Sequence, residues 1–275
     1  MNKLLSANFL RLRKNKCFWG GLIYMAAAGI IYPLMRYLEM KNTGYISYLE
    51  GGFTICALFT PIVLAIFCSL FVGREYSDGT IRNKIMIGHQ RLDIYLTNLM
   101  VNVVVMFLFC LVYFIMYLCV GIPLLGYFHS DIQHVMMVVL ASYVLCLAFS
   151  CLYTMIAMIC TSKAVTSILC IMSVFFLLLI GIYTNARLQE PEYYPAYSVS
   201  MDGIQEGKEE RNPNYLEGTK RDVYEFLFDF LPGGQVIQCV SMQVKEPIML
   251  MLYSGIICLI TSGVGLVLFK QMDLK

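Results

Sequence analysis

The chain has 275 residues, of which 59% are hydrophobic and only 14% are charged, with a formal net charge of +2. A soluble domain is roughly half apolar and about a quarter charged, so this composition excludes an ordinary soluble globule and indicates a membrane protein. The nearly balanced charge gives no indication of a nucleic-acid partner.

The first predicted element is the N-terminal segment, residues 1–16, MNKLLSANFLRLRKNK. It mixes leucine and phenylalanine with lysine and arginine, which favours an amphipathic helix lying along the membrane surface. The alternative is a frayed basic segment that only sets topology. No small-residue cleavage site follows, so this segment is not the start of a signal peptide.

Six uncharged stretches of membrane-spanning length follow. A crossing needs about 20 apolar residues. Backbone polar groups in lipid must be satisfied internally, so we expect each stretch to be a helix. The predicted fold is therefore an all-α integral membrane protein, a single transmembrane domain over residues 1–275, with an N-terminal interfacial helix and six transmembrane helices. The stretches are Cys17–Met35, Phe53–Gly73, Ile94–Phe128, Ile132–Ser162, Ala164–Asn185 and Pro247–Phe269.

The third stretch is longer than one bilayer width. It contains Gly121-Ile122-Pro123, and a proline removes a backbone donor and disfavours helix in the residue before it. We predict that this helix ends near Val120 and that a short apolar turn continues to Ser130. Tilt, or protrusion into the cytosol, is the alternative explanation for the excess length.

The distribution of charge predicts the orientation. With six crossings both termini lie on one side, which carries 12 basic and 4 acidic side chains, whereas the other side carries 8 basic and 14 acidic ones. Short basic loops remain in the cytosol. Both termini are therefore predicted to be cytosolic.

The segment 74–93, between the second and third stretches, is charged and is predicted to be cytosolic. Ser77 or Asp78 is suited to begin a short helix there and Gly88 to end it. Ile81 and Ile85 lie four residues apart, on one face of such a helix. That apolar ridge suits a groove on a partner protein, and an ordinary amphipathic linker at the interface is the alternative.

Ionisable residues are missing from the six stretches, which contain no Asp, Glu, Lys or Arg. Ion-coupled transporters usually carry such groups at membrane depth, so their absence argues against a secondary transporter. The polar residues Asn98, Asn102 and Ser142 are predicted to make contacts between helices rather than to bind cargo.

Catalytic and metal-binding patterns are also missing. No G-x-x-x-x-G-K-[ST] loop is present to bind nucleotide phosphates, and His89, His129 and His134 do not form an HExxH motif. Most of the 11 cysteines fall inside the predicted spans, where a thiol behaves as a small hydrophobic group. We expect no catalytic, cofactor or metal site in this chain, with an intramembrane enzyme as the rival class.

The segment 186–246 is predicted to be an extracytoplasmic insert between spans five and six. It carries 11 acidic and 6 basic residues. Its first half is rich in Pro, Gly and Tyr and is predicted to form an irregular lobe. In its second half Val223, Phe226, Leu227 and Phe230 recur at helical spacing, so a helix should rest on the outer membrane surface and end at Pro232-Gly233.

Two motifs stand out in this topology. The pattern Glu75, Gly79-Thr80-Ile81, Lys84, Gly88 and Arg91 lies after the second span, and Leu231-Pro232-Gly233-Gly234-Gln235 lies before the last span. Both resemble motifs of the permease subunit of type-2 ATP-binding-cassette (ABC) exporters. The resemblance implies a location in the cytoplasmic (inner) membrane of a bacterium. The resemblance implies that residues 79–88 form a coupling helix that docks on an ATPase, with Ile81 and Ile85 as docking side chains. It also implies that Glu75 caps the helix start or pairs with Arg74 or Arg82. The implied docking set is Glu75, Gly79, Thr80, Ile81, Arg82, Lys84, Ile85, Gly88 and Arg91.

The same resemblance implies the partners. Two copies of an ABC ATPase subunit would bind ATP and Mg²⁺, and a second permease copy would complete the pathway as a homodimer, with a heterodimer as the alternative. The implied cargo is amphipathic peptides, antimicrobial compounds or lipid-like molecules. The acidic, tyrosine-rich insert either attracts cationic amphipathic peptides or is only a solvated cover. A bacteriocin-immunity pump, or a non-transporting sensor or scaffold of the same fold, remains an alternative.

Overall fold

The computed structural model of the chain describes residues 1–194, 197–200, 203–206 and 210–272. Helices account for most of these residues, and four short strands lie between α8 and α9. The helices are α1 (Asn2–Arg13), α2 (Lys16–Thr43), α3 (Glu50–Phe53), α4 (Cys56–Ser77), α5 (Thr80–Met86), α6 (Arg91–Leu125), α7 (Ile132–Ile159), α8 (Lys163–Leu188), α9 (Thr219–Phe230), α10 (Pro232–Val240) and α11 (Pro247–Gln271).

The six predicted spans are confirmed. The segments long and apolar enough to cross a membrane are α2, α3 together with α4, α6, α7, α8 and α11. Both chain ends, α1 and α5 lie at one end of the bundle, which we call the terminal end. We call the opposite end, which carries α3, α9 and α10, the insert end.

The packing of the bundle places α4 at its centre. This helix lies against α2, α6, α7 and α8, whereas α11 lies along α7 and α2 lies along α6. Large side chains such as Phe71, Tyr113 and Phe149 are completely buried between these helices. In a bilayer the lipid is as apolar as the core, so close packing and interhelical hydrogen bonds hold such a bundle together.

The prediction that the third span ends near Val120 is wrong. Helix α6 continues through Pro123 to Leu125 and ends at Gly126, whose N–H donates to Ile122 O at 3.1 Å. Because Pro123 lies in the last turn, its missing N–H removes only one bond near the helix end. Membrane helices tolerate such a loss when neighbouring groups compensate.

The predicted N-terminal helix is confirmed as α1. Its buried residues Leu4 and Leu12 pack against the bundle beside the first turns of α6. Asn15 then starts α2 by accepting a hydrogen bond from Cys17 N at 2.8 Å. The indole N–H of Trp19 donates back to Arg13 O at 2.9 Å, which fixes the angle between α1 and α2.

The first half of the insert contains strands where an irregular lobe was predicted. Strand β1 (Tyr193–Tyr194) pairs with β4 (Glu210–Arg211), and β2 (Tyr197–Ser200) pairs with β3 (Gly203–Glu206), both antiparallel. Tyrosine and valine favour extended backbone. The prediction of an irregular lobe gave more weight to the many Pro and Gly residues than to this preference. Residues 195–196, 201–202 and 207–209 of the predicted lobe lie outside the described residues.

The predicted helix in the second half of the insert is confirmed as α9. It ends at the predicted place, but Pro232 also begins a further helix, α10, because proline suits the first helical position. Helix α10 enters the bundle and touches α8, α7 and α4. Its backbone passes so close to α8 that a Cβ on Gly181 would lie 2.4 Å from the carbonyl carbon of Gly233.

Candidate functional site

One buried carboxylate organises the terminal end of the bundle. Glu75 lies in the last turn of α4, and its side chain is 0% exposed. Its Oε1 accepts hydrogen bonds from Arg11 of α1 and, at 2.5 Å, from Lys84 of α5. Its Oε2 accepts from Asn98 Nδ2 of α6 at 3.1 Å. Four helices therefore meet at a single carboxylate, an arrangement that we call the Glu75 cluster.

Asn8 of α1 closes this cluster into a ring. Its Oδ1 lies 3.3 Å from Lys84 Nζ, and its Nδ2 lies 3.4 Å from Asn98 Oδ1. A buried charge pair is stable only when further hydrogen bonds satisfy the remaining polar atoms. The two asparagines supply such bonds to Glu75 and Lys84, whereas Nε and Nη2 of Arg11 have no hydrogen-bond partner among the described residues. The ring joins α1, α4, α5 and α6.

Arg11 is held by its charge and by an aromatic ring. Its guanidinium carbon lies 3.8 Å from the centroid of the Phe71 ring, within cation–π distance. Burial lowers the pKa of Arg11, and the charge and hydrogen bond of Glu75 act in the opposite direction. Removal of Glu75 would therefore leave a partly buried cation, whose side chain is 29% exposed, without its carboxylate.

The sequence predicted the wrong partners for Glu75. Arg74 and Arg82 are both exposed. Arg74 is the preceding residue in the same helix, so its side chain points about 100° away. The actual partners are Lys84 of α5 and Arg11 of α1. Arg11 is 64 residues distant in the chain, and only folding brings it close.

The start of α5 also differs from the prediction. Neither Ser77 nor Asp78 caps this helix; Gly79 holds the N-cap position with φ 65°, and Asp78 ends α4. Such a left-handed conformation favours glycine. The hydroxyl of Thr80 donates to Glu75 O at 2.9 Å, which joins the two helices across the turn.

The predicted end of α5 at Gly88 is confirmed. Gly88 has φ 97°, its N–H donates to Ile85 O at 2.9 Å, and His89 N donates to Lys84 O at 3.1 Å. This pair of bonds is the Schellman arrangement that commonly ends helices with glycine. Helix α5 therefore has a defined start at Gly79 and a defined end just before Gly88.

The apolar ridge of α5 faces inward. Ile81 is 1% exposed and belongs to the core of the bundle, and Ile85 packs against that core. The bundle itself is therefore the partner of the ridge that we expected to face outward. The outward surface instead carries Met86 and Ile87, which are 70% and 78% exposed, together with Arg82.

Arg91 occupies a different position from the rest of the predicted docking set. Its Nη1 donates to Phe269 O at 3.0 Å, Lys270 O at 2.9 Å and Met272 O at 2.5 Å. These carbonyls form the end of α11, where a cation also complements the helix dipole. Arg91 therefore fastens the segment after α5 to the last span.

The prediction that span asparagines join helices is confirmed. Asn98 contacts α4 and α1, and Asn102 Nδ2 of α6 donates to Thr154 Oγ1 of α7 at 2.8 Å. The hydroxyl of Ser142 donates to Val138 O in its own helix at 2.9 Å. Asn8 and Arg11 are site residues that the sequence did not predict, although an asparagine within an amphipathic α1 was an available signal.

A known protein family matches the part of the chain that contains most of these elements. A family model described as "ABC-2 family transporter protein" matches residues 4–184. The matched range contains all members of the Glu75 cluster and ends in α8. A search of curated proteins finds no match to the chain.

Proposed function

The chain belongs to the ABC-2 transporter family, and from that premise we propose that it is the membrane subunit of an exporter driven by a separate ATPase subunit. The ATPase would bind ATP and Mg²⁺ and dock on α5. The expected cargo comprises amphipathic peptides, antimicrobial compounds or lipid-like molecules. The excess of basic residues on the loops of the terminal end supports a cytosolic location for that end in a bacterial cytoplasmic membrane.

The two-sided character of α5 is the observation that carries this proposal. Its inner side joins the bundle through Ile81 and Lys84, whereas its outer side presents Met86 and Ile87 beside Arg82. Exposed apolar side chains beside charged ones often mark an interaction surface. A short helix that offers such side chains suits an apolar groove on a partner protein.

The Glu75 cluster explains how force on α5 would reach the membrane. Lys84 joins α5 to Glu75, and the same carboxylate holds Arg11 and Asn98. A displacement of α5 therefore displaces α1, α4 and α6 as one body. Arg91 extends the connection to α11. Rigid-body rotation of this kind is a common way to switch between two states.

We further propose that two permease copies assemble with two ATPase subunits. Helices α2, α8 and α11 present broad exposed apolar faces. A pathway on a symmetry axis needs a second set of helices, either from a second copy or from a paralogue. One of these faces would meet that second set, and the others would face lipid.

The test is to express the chain together with candidate ABC ATPase subunits, to purify any complex that forms and to measure its ATP hydrolysis. The variants Met86→Asp and Ile87→Asp should insert normally, lose the ATPase and lose stimulated hydrolysis. Ile46→Asp is the matched control, because Ile46 is 71% exposed at the insert end, and it should retain both. Retention of both properties by the two α5 variants would overturn the docking assignment.

Assembly and transport are separate outcomes. A complex that binds the ATPase but exports no fluorescent amphiphile from vesicles would favour the non-transporting sensor or scaffold. Release of a toxic peptide from the membrane of the producing cell would favour the immunity role.

A further inference from the structure

A cavity of about 540 Å³ lies at the insert end, between the end of α8, α9, α10 and the first turns of α11. This volume falls within the roughly 300–1,000 Å³ of small-molecule sites. One wall is apolar and is formed by Phe228, Ile237, Met249, Leu250 and Tyr253. The cavity therefore has room for an organic molecule of moderate size with an apolar body.

Asp229 lies on the lining of the cavity and is the acidic residue that could bind a cation there. Gln238 Nε2 donates to Asp229 Oδ1 at 2.8 Å and to Phe228 O at 3.3 Å. Among the described residues, Asp229 Oδ2 has no hydrogen-bond donor. Asp229 is half-buried, and burial raises the pKa of its carboxyl group.

The charges around the cavity favour a cation. Arg221 Nε is already paired with Glu225 Oε1 at 3.0 Å. The remaining charged groups on the lining are two carboxylates, Asp229 and Glu246, against one ammonium, Lys245. A cationic group beside Asp229 would donate a hydrogen bond to Oδ2 in place of water, and a charge-assisted bond is about twice as strong as a neutral one.

We propose that this cavity binds an amphipathic organic cation, with its apolar body against Met249 and Tyr253 and its protonated amine at Asp229. The inference rests on the proposed function in one respect, because such a molecule would be cargo or a cargo side chain on the exit side. The site deepens the expected cargo class from amphipathic molecules in general to amphipathic amines.

The experiment uses the full chain in zwitterionic lipid nanodiscs and the fluorescent amine dansylcadaverine. The N-acetylated probe has the same apolar body without the charge, and empty nanodiscs correct for partition into lipid. We expect the amine to bind about tenfold more tightly than the acetylated probe, because only the amine can make the charge-assisted hydrogen bond to Asp229. Fluorescence polarisation provides the readout.

Matched variants locate the site. Asp229→Asn should remove most of the preference for the amine, whereas Asp222→Asn, an exposed acid on α9 that does not line the cavity, should retain it. Glu246→Gln should weaken amine binding several-fold and provides a second test if Asp229→Asn fails to fold. Equal binding of the two probes, or equal losses in Asp222→Asn and Asp229→Asn, would overturn the proposal.

The ATPase is absent from this assay. Failure here would leave docking on α5 untouched, and failure of docking would leave probe binding untouched.

Discussion

Asn98 Nδ2 lies 3.1 Å from Glu75 Oε2, and this bond joins α6 to α4 at a point that solvent does not reach. Asn98 is also the residue through which Asn8 of α1 enters the same ring. A neutral amide at this position can accept from one side and donate to the other, which a charged side chain could not do.

The first prediction concerns the counter-ion of the cluster. Glu75→Gln removes the negative charge that Arg11 and Lys84 share, so two cations lose their carboxylate. Breaking a fully buried pair costs about 3–5 kcal/mol, and because Arg11 and Lys84 are 29% and 16% exposed, we expect a loss of stability below that range. The variant should unfold at clearly lower temperature or denaturant concentration in detergent. Glu217→Gln, whose pairing with Arg211 is exposed, is the control and should change stability little.

The second prediction separates the two sides of α5. Lys84→Met removes a partner of Glu75 and should reduce stability, whereas Arg82→Met alters an exposed side chain and should preserve it. Binding to the ATPase, measured relative to the amount of folded protein, should show the opposite order. Arg82→Met should bind the ATPase more weakly than Lys84→Met, because Arg82 lies on the outward surface. A larger loss of stability in Arg82→Met than in Lys84→Met would contradict the geometry of the cluster.

The third prediction concerns the crossing of α8 and α10. Gly181→Ala would place a methyl group against the backbone of Gly233, and overpacking of this kind costs roughly 1–3 kcal/mol. Gly255→Ala is the control, because nothing lies within 4 Å of a Cβ at Gly255 of α11. That control should be neutral or slightly stabilising. Thermal unfolding of both variants provides the comparison.

The fourth prediction concerns the attachment of the last span. Arg91→Ala leaves the final carbonyls of α11 without their donor, so the helix end should fray. Hydrogen–deuterium exchange of peptides covering 266–272 should become faster by about tenfold, if one charge-assisted bond to the carbonyls is lost. Arg13→Ala, at an exposed position at the same end of the bundle, should leave exchange in that region unchanged.

The fifth prediction is a pH dependence at the base of the insert. Hydrogen bonds from Tyr194 and Asn212, each 2.9 Å long, lower the pKa of Glu190. Because the folded pKa is depressed, the stabilisation is present above the ordinary pKa of glutamate and is lost as pH falls through the lowered value. Acidification should therefore speed exchange at Asn212, after correction for the intrinsic rate, and Glu190→Gln should remove that dependence.

The six spans could be predicted from the sequence because their lack of charge is a local property. The same holds for α9, whose apolar residues recur with helical period, and for Gly88, which ends α5. Each of these features depends on neighbours within a few turns. The local pattern of polar and apolar residues, together with the position of Gly88, is therefore sufficient to predict the spans, α9 and the end of α5.

The interior of the candidate site could not be predicted in this way. Arg11 and Glu75 meet only because α1 folds across the end of α4, and no spacing within the sequence encodes that contact. Ile81 was predicted to face outward because the sequence does not show that the bundle covers this side of α5. Its burial depends on helices that are distant in the chain. The entry of α10 beside α8 likewise depends on Gly181, which lies far from Gly233 in the chain.

The chain contains a single tryptophan, Trp19, which is 51% exposed. Its indole N–H bond to Arg13 O lies at the joint between α1 and α2. Indole emission responds to polarity and to hydrogen bonding, so the unmodified protein contains its own optical reporter at this joint. Under the proposed function, binding of ATP to the partner subunit should tilt α1 and shift the emission wavelength. Stopped-flow mixing of the complex with ATP would follow this shift without a dye.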